Sequence, residues 1–92
     1  MAWTVLLHPQ VAKRVRRLPP RIRDLLELLI RAMEQGGPVR GTWPNYGKLS
    51  QIRHHCHLKK GHPTYVAVWE VRDRQVQIIE VLYVGTHENA PY

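Results

Sequence analysis

The sequence lacks the usual features of secreted and membrane proteins. It has one cysteine among 92 residues, and no apolar run reaches the roughly 18 residues that cross a bilayer. The single cysteine, Cys56, excludes an internal disulfide framework and is typical of a reducing compartment. Residues 1–7 have neither a basic start nor a long apolar centre, so we expect no signal peptide and a soluble, cytoplasmic protein.

Acidic residues are scarce as well. Seven Asp and Glu stand against 14 Lys and Arg, which gives a net charge of +7, and six histidines add positive charge at lower pH. A surface of this charge attracts polyanions, and because aromatic and histidine residues are interspersed with the cations, we favour nucleic acid as the partner. Plain solvated charge and an acidic protein partner are the alternatives.

The length and the spacing of apolar residues predict one small domain, residues 1–92, that begins with a strand and two helices. Residues 3–7 form the strand, which ends at His8-Pro9. The first helix begins at Pro9, and Gly36-Gly37-Pro38 ends the second. The second helix shows the clearest 3.6-residue period in the chain, formed by Ile22, Leu25, Leu26, Leu29, Ile30 and Met33.

Three more strands are predicted downstream, at residues 50–58, 64–71 and 76–84. Residues 39–49 are a turn-rich connection, and its aromatics, Trp43 and Tyr46, either close the edge of the core or stack on a base. The order β-α-α-β-β-β predicts a two-layer α+β fold, in which both helices pack on a mainly antiparallel four-stranded sheet.

The middle strand contains the run His-His-Cys-His, whose side chains are ligands that zinc prefers. Because side chains alternate on a strand, His55 and His57 share one face about 7 Å apart, whereas His54 and Cys56 share the apolar face. A zinc site would need both face-sharing histidines together with His87, and it stays an alternative. The apolar surroundings of Cys56 favour a buried structural cysteine over a nucleophile.

The same histidines suit proton transfer at neutral pH. RNA cleavage without metal or cofactor needs a base for the 2′-hydroxyl, an acid for the leaving 5′-oxygen and cations for the phosphate. His55 or His57 and the later His87 provide the two titrating groups, if Gly85 lets the chain leave the sheet sharply so that His87 stands over the polar face. The candidate RNA-binding cations are Lys48, Arg53, Lys59 and Lys60.

This layout of a strand, two helices and a hairpin sheet resembles the RelE/ParE toxin superfamily. Gly41-Thr42-Trp43, residues 65–71 and Gly85-Thr86-His87 are similar to its YafQ-like ribonuclease branch, and the resemblance covers nearly the whole chain. Its most specific part is Gly85-Thr86-His87 followed by an aromatic residue, Tyr92.

The resemblance implies the toxin of a type II toxin–antitoxin pair. Such a toxin is an endoribonuclease, or mRNA interferase, that cuts mRNA on the ribosome, inhibits translation and is silenced by a cognate antitoxin. The resemblance also implies His87 as the catalytic acid, His57 or His55 as its partner and Tyr92 as the aromatic that orients the RNA. Tyr65 stands where the branch has a tryptophan near its active site.

The alternative function is that of a ParE-type toxin, which poisons DNA gyrase without cleaving nucleic acid. A binding protein of that kind gains nothing from a titratable His87 beside an aromatic residue, so the sequence favours the nuclease. A degenerate toxin and a metal-binding protein are the remaining alternatives.

Overall fold

The computed structural model describes residues 2–92; Met1, the first residue of the predicted domain, lies outside the described residues. Strand β1 (Thr4–Leu7) is followed by helix α1 (Pro9–Arg14), a 3₁₀ turn (Val15–Arg17) and helix α2 (Pro20–Gly36). Four strands come next: β2 (Gly47–Lys48), β3 (Arg53–Lys59), β4 (Tyr65–Asp73) and β5 (Ile78–Thr86). A second 3₁₀ turn, His87–Asn89, follows β5.

Helix α1 begins at Pro9 and helix α2 ends at the Gly36-Gly37 pair, as predicted, whereas α1 already gives way to the 3₁₀ turn after Arg14. Each has proline in its first turn, where the missing N–H costs no hydrogen bond. The Nδ1 atom of His8 caps α1 by accepting a hydrogen bond from the backbone N–H of Gln10 at 3.1 Å. Helix α2 is capped at its C-terminus by Gly37, whose φ of 87° lies in a region that glycine tolerates best, and whose N–H donates to the carbonyl of Met33.

The sheet has the strand order β1-β5-β4-β3-β2. The pairs β5–β4, β4–β3 and β3–β2 are antiparallel, whereas β1 lies parallel to β5 at the opposite edge. The last strand therefore occupies an interior position between β1 and β4.

The core lies between the helices and one face of the sheet. It is formed by the apolar side of α2 and by the inward side chains of β4 and β5, among them Ile22, Leu26, Leu29, Met33, Ala67, Trp69, Ile79 and Val81. The indole N–H of the fully buried Trp69 donates to the carbonyl of Pro38 at 2.9 Å, so this polar group is satisfied. The predicted two-layer α+β class is confirmed. Within residues 2–92, no helix is both long enough and apolar enough to span a membrane.

The sheet has five strands, so the predicted number of four is wrong. The missed strand, β2, has only two residues, Gly47 and Lys48, which pair with His55 and His54. A strand of two residues is too short to show the alternation of apolar and polar side chains by which strands are recognised. It forms because the segment before it is held against β3, where the N–H of His57 donates to the carbonyl of Pro44 at 2.8 Å.

Strands β3 and β5 begin later than predicted because side chains bind the backbone of the turns before them. Ser50 Oγ accepts hydrogen bonds from the N–H groups of Ile52 and Arg53, so β3 begins at Arg53 rather than at residue 50. Asp73 Oδ1 accepts from the N–H groups of Gln75 and Val76, which places the last hairpin turn at residues 74–77 and starts β5 at residue 78.

Gly85 does not let the chain leave the sheet, which corrects that expectation. It lies within β5 and pairs with Val66. A Cβ atom at this position would lie 2.6 Å from the Tyr83 hydroxyl, which donates to the carbonyl of Thr86 at 2.7 Å. Glycine therefore makes room for the Tyr83 side chain, and the chain turns only after Thr86.

Candidate functional site

The alternation predicted for the middle strand is present in β3. His54, Cys56 and Leu58 are buried, whereas Arg53, His55 and His57 are half-buried on the opposite side of the sheet. We call this second side, which lies opposite to helices α1 and α2, the open face.

The chain after β5 adds two side chains to the open face, those of His87 and Tyr92. The N–H of His87 donates to the carbonyl of Thr64 at 2.8 Å, which extends the β4–β5 ladder by one bond. The His87 ring lies edge-on to His57, with 5.7 Å between ring centroids. Tyr92 lies across the same side, 5.0 Å from the His55 ring and 5.8 Å from the His87 ring. These four side chains, His55, His57, His87 and Tyr92, form the ring cluster.

An apolar floor lies beneath the ring cluster. Val66 and Val68 of β4 pair with His57 and His55 of β3 and are both fully buried. Paired residues of neighbouring strands point to the same side, so the two imidazoles stand beside valine side chains rather than water.

This environment disfavours protonated imidazole in β3. Burial lowers the pKa of His57, and the neighbouring positive charges of His87, Lys60 and His55 lower it further. The pKa of His55 is lowered first by burial and then by His87. Both rings are therefore neutral at pH 7. Burial also raises the pKa of Tyr92, which keeps its hydroxyl protonated.

A hydrogen bond from Asn45 fixes the tautomer of His57. The amide nitrogen of Asn45 lies 3.1 Å from Nε2 of His57. An amide nitrogen only donates, so Nε2 carries the lone pair and Nδ1 the proton. Nδ1 is buried and has no hydrogen-bond partner within residues 2–92. Asn45 is exposed, so a substrate hydroxyl can take its place at Nε2.

The predicted RNA-binding cations are not equally placed. Lys60 is exposed and close enough to His57 to affect its titration. Arg53 lies on the open face, but its Nε and Nη2 donate to Glu70 Oε2 at 3.0 and 2.8 Å. Lys59 is exposed at the end of β3. Lys48 pairs with the inward-facing His54 at the sheet edge and so stands on the other side from the ring cluster.

Tyr65 is also separated from the ring cluster. It precedes Val66 on β4 and therefore points to the helix side, where it packs against the hydrophobic core. Tyr65 therefore does not lie near the ring cluster, where the resemblance places it. Adjacent residues of a strand point to opposite faces, and Tyr65 stands one residue before Val66, which is on the open face.

A cleft opens next to the ring cluster. It has a volume of about 330 Å³ and is lined by His57, Gly61, His62, Pro63, Thr64, Thr86, His87 and Glu88. The sequence predicts only a turn at residues 59–63, and no motif marks His62 or Glu88 as a site residue. Residues 61–64 and 86–88 lie together because Tyr65, at the start of β4, pairs with Thr86, at the end of β5. The pairing of these two predicted strands is the signal from which their proximity follows.

The inward side chains of β3 serve packing. His54 is stacked on Trp69, and its Nδ1 lies 2.7 Å from the Tyr46 hydroxyl. Tyr46 and Trp43 both pack against the core, so these aromatics close its edge. Burial raises the pKa of Cys56 to about 12, which makes it a poor nucleophile. Within residues 2–92, no three His, Cys, Asp or Glu side chains are arranged to hold a metal ion.

Comparison with solved structures finds similar folds. A double mutant of the toxin RelE from E. coli, in the free state, gives a TM-score of 0.73 at 18% sequence identity, covering 98% of this chain and 88% of that chain. The archaeal RelE–RelB complex from Pyrococcus horikoshii gives 0.70 at 17% identity, with 98% and 100% covered. The YoeB dimer from Staphylococcus aureus gives 0.69 at 14% identity, with 95% and 99% covered. No protein-family model matches the sequence, and no curated protein does.

Proposed function

We propose that this chain, which has the fold of the RelE-like toxins, is the toxin of a type II toxin–antitoxin pair and acts as an endoribonuclease on mRNA. The observation that carries the proposal is the meeting of His57 and His87, 5.7 Å apart, beside an open cleft. The fold alone is compatible with several toxin activities, whereas two titrating rings at one cleft have a specific use in acid–base chemistry.

His57 is the general base of the proposed reaction. Its pKa is lowered, so the ring is neutral at pH 7, and its Nε2 lone pair faces the exposed Asn45 amide that a substrate can displace. Nε2 removes the proton from a ribose 2′-hydroxyl as that oxygen attacks the adjacent phosphorus. Of the two predicted partners of His87, His57 is the better placed, because His55 lies against Tyr92 instead.

His87 is the general acid. As imidazolium it donates a proton to the leaving 5′-oxygen while the bond from phosphorus to that oxygen breaks, which leaves a 2′,3′-cyclic phosphate and a free 5′-hydroxyl. The positive charge of Lys60 stabilises the developing phosphorane. Tyr92, which lies against both His55 and His87, orients the RNA by stacking.

The proposed partners are mRNA on the translating ribosome and a cognate antitoxin. One of the similar structures is a complex of RelE with RelB, which supports an antitoxin partner for this chain. The net charge of +7 gives the free toxin a long-range attraction to RNA. An antitoxin therefore has to cover the open face or compete with RNA for the basic surface.

Induction of the chain in growing cells tests the proposal. Growth should stop within one generation, and mapping of mRNA 5′ ends should show new ends within coding sequences. The His87→Ala variant should give neither effect. The control variant is His8→Asn, which removes a histidine from the cap of α1 but leaves a capping side chain.

Growth arrest without new mRNA ends would reject the nuclease. If gyrase-linked DNA breaks accumulated instead, the ParE-type function would take its place. Arrest that survives His87→Ala in a folded protein would likewise reject the acid–base pair.

A further inference from the structure

The cleft beside the ring cluster differs in charge from the rest of the molecule. The chain carries 14 Lys and Arg against 7 Asp and Glu. Yet among residues 2–92, those that line the cleft include Glu88 and no lysine or arginine. The carboxylate of Glu88 would repel a phosphate group that entered the cleft in addition to the reacting phosphate, because like charges repel. The interior of the cleft is therefore suited to the uncharged part of a nucleotide.

The carboxylate of Glu88 is free to bind a ligand. The ion pairs within residues 2–92 use Glu27, Glu70 and Glu80. Glu88 follows His87 in the 3₁₀ turn after β5 and is exposed, so no buried contact within residues 2–92 holds its side chain in one rotamer. An ionised carboxylate only accepts hydrogen bonds, so its natural partner is an N–H donor.

The size and the walls of the cleft fit one nucleobase. Ligand sites begin at roughly 300 Å³, so a cleft of about 330 Å³ accommodates a single nucleotide rather than a longer segment. His62 and Pro63 supply flat surfaces of the kind on which unstacked bases lie. His57 and His87 form the wall shared with the ring cluster, so a base held here belongs to a nucleotide adjoining the reacting phosphate.

We propose that this cleft binds the nucleobase next to the scissile phosphate, and that Glu88 selects a base with an exocyclic amino group. The carboxylate accepts a hydrogen bond from the amino group of cytosine, adenine or guanine. Uracil has no exocyclic amino group: its one N–H donor on the pairing edge, N3–H, lies between two carbonyl oxygens that repel the carboxylate. The inference rests on the proposed ribonuclease function for the identity of its ligand.

Binding of mononucleotides tests the cleft apart from catalysis. The ¹⁵N-labelled protein is titrated with CMP and with UMP, which have the same size and charge and cannot be cleaved. The amide signals of Gly61, Thr64 and Glu88 should shift, and CMP should bind about fivefold more tightly than UMP, the lower end of the discrimination that one base contact provides. The Glu88→Gln variant should lose this preference, because an amide both donates and accepts.

The control is Glu27→Gln, which removes the same charge from an exposed pair with Arg31 on α2. It should keep the preference for CMP. Equal affinities for CMP and UMP in the unmodified protein, or shifts confined to other parts of the molecule, would overturn the inference. The two proposals fail separately: discrimination without mRNA cleavage removes the nuclease, whereas cleavage without discrimination removes the role of Glu88.

Discussion

His54 is one of three aromatic rings that contact one another in the interior. Its ring lies parallel to Trp69 with a centroid separation of 5.9 Å, and Tyr46 contacts both rings, at 5.9 Å from His54 and 6.1 Å from Trp69. Only 1% of His54 is exposed. Burial lowers the pKa of His54 to about 4, and the charges of Lys48 and Arg74 contribute to the shift. The folded protein therefore holds this imidazole in its neutral form.

This arrangement predicts a loss of stability in mild acid. The unfolded chain binds a proton at His54 with a pKa of about 6.5, whereas the folded chain does so only near pH 4. Stability from this group is complete above pH 6.5 and falls by up to about 3 kcal/mol as the pH drops through the window from 6.5 to 4. Urea unfolding at several pH values measures the free energy of unfolding across that window.

The matched variant is His54→Gln, which keeps a polar partner for the Tyr46 hydroxyl but does not titrate. Its free energy of unfolding should depend less on pH between 6.5 and 4 than that of the unmodified protein. Parallel curves for the two proteins would show that His54 does not contribute to the acid sensitivity.

At the level of single side chains, the sequence predicts the faces of β3 well but not the surroundings of the histidines. Alternation alone places His55 and His57 opposite to His54 and Cys56, as the structure does. The contact of His57 with Asn45 has no signature, because it depends on a loop conformation with φ of 54° at Asn45. The pairing of Arg53 with Glu70 likewise follows from the register of β3 on β4, which the sequence does not specify.

The three central strands are joined by a chain of ion pairs on the open face. Glu70 of β4, only 7% exposed, accepts hydrogen bonds from Arg53 of β3 and Arg72 of β4. Arg72 also binds Glu80 of β5, with Nε 2.8 Å from Oε1. The central carboxylate therefore links the β3–β4 and β4–β5 contacts, and together Glu70 and Glu80 balance the charges of the two arginines.

Replacement of Glu70 should destabilise the sheet. Glu70→Gln leaves Arg53 without its buried counter-charge and Arg72 with Glu80 alone, and we expect a loss of about 1–3 kcal/mol in the free energy of unfolding. The control, Glu27→Gln, breaks a pair whose side chains are more than 60% exposed and should cost under about 0.5 kcal/mol. Urea unfolding distinguishes them, and equal effects of the two variants would mean that the open-face pairs are no more than surface contacts.

The helices and long strands are predictable because each buries a periodic apolar side. The apolar residues of helix α2 recur at helical spacing and are covered by the sheet. Strands β4 and β5 contain apolar runs long enough to be recognised as strands. Strand β2 and the exact turn positions depend on hydrogen bonds with Pro44, Ser50 and Asp73, which leave no periodic trace. The same holds for the candidate site. Its histidines can be predicted from the sequence, whereas its cleft is formed mainly by residues 61–64 and 86–88, whose positions no periodic pattern indicates.

The net charge of +7 governs encounters of the whole molecule with its partners. We expect the affinity for the proposed antitoxin to fall at least about tenfold when the ionic strength rises from about 0.05 to 0.5 M, because screening weakens attraction between opposite charges. The triple variant Lys13→Gln, Arg16→Gln, Arg17→Gln, altered on the exposed basic side of the first helical segment, should show a smaller dependence. An affinity indifferent to salt would indicate a mainly apolar interface.

The central claim is that His57 and His87 act together as base and acid without a metal ion. Its most direct test is single-turnover cleavage of mRNA on translating ribosomes by the purified protein, with a chelator added at levels that leave the ribosomes intact. His57→Ala and His87→Ala should each reduce the rate by about 100-fold or more, and the double variant should be little slower than either, because both groups serve one step. His8→Asn should cleave at the unmodified rate. A folded His87→Ala protein that cleaves as fast as the unmodified protein would contradict the account.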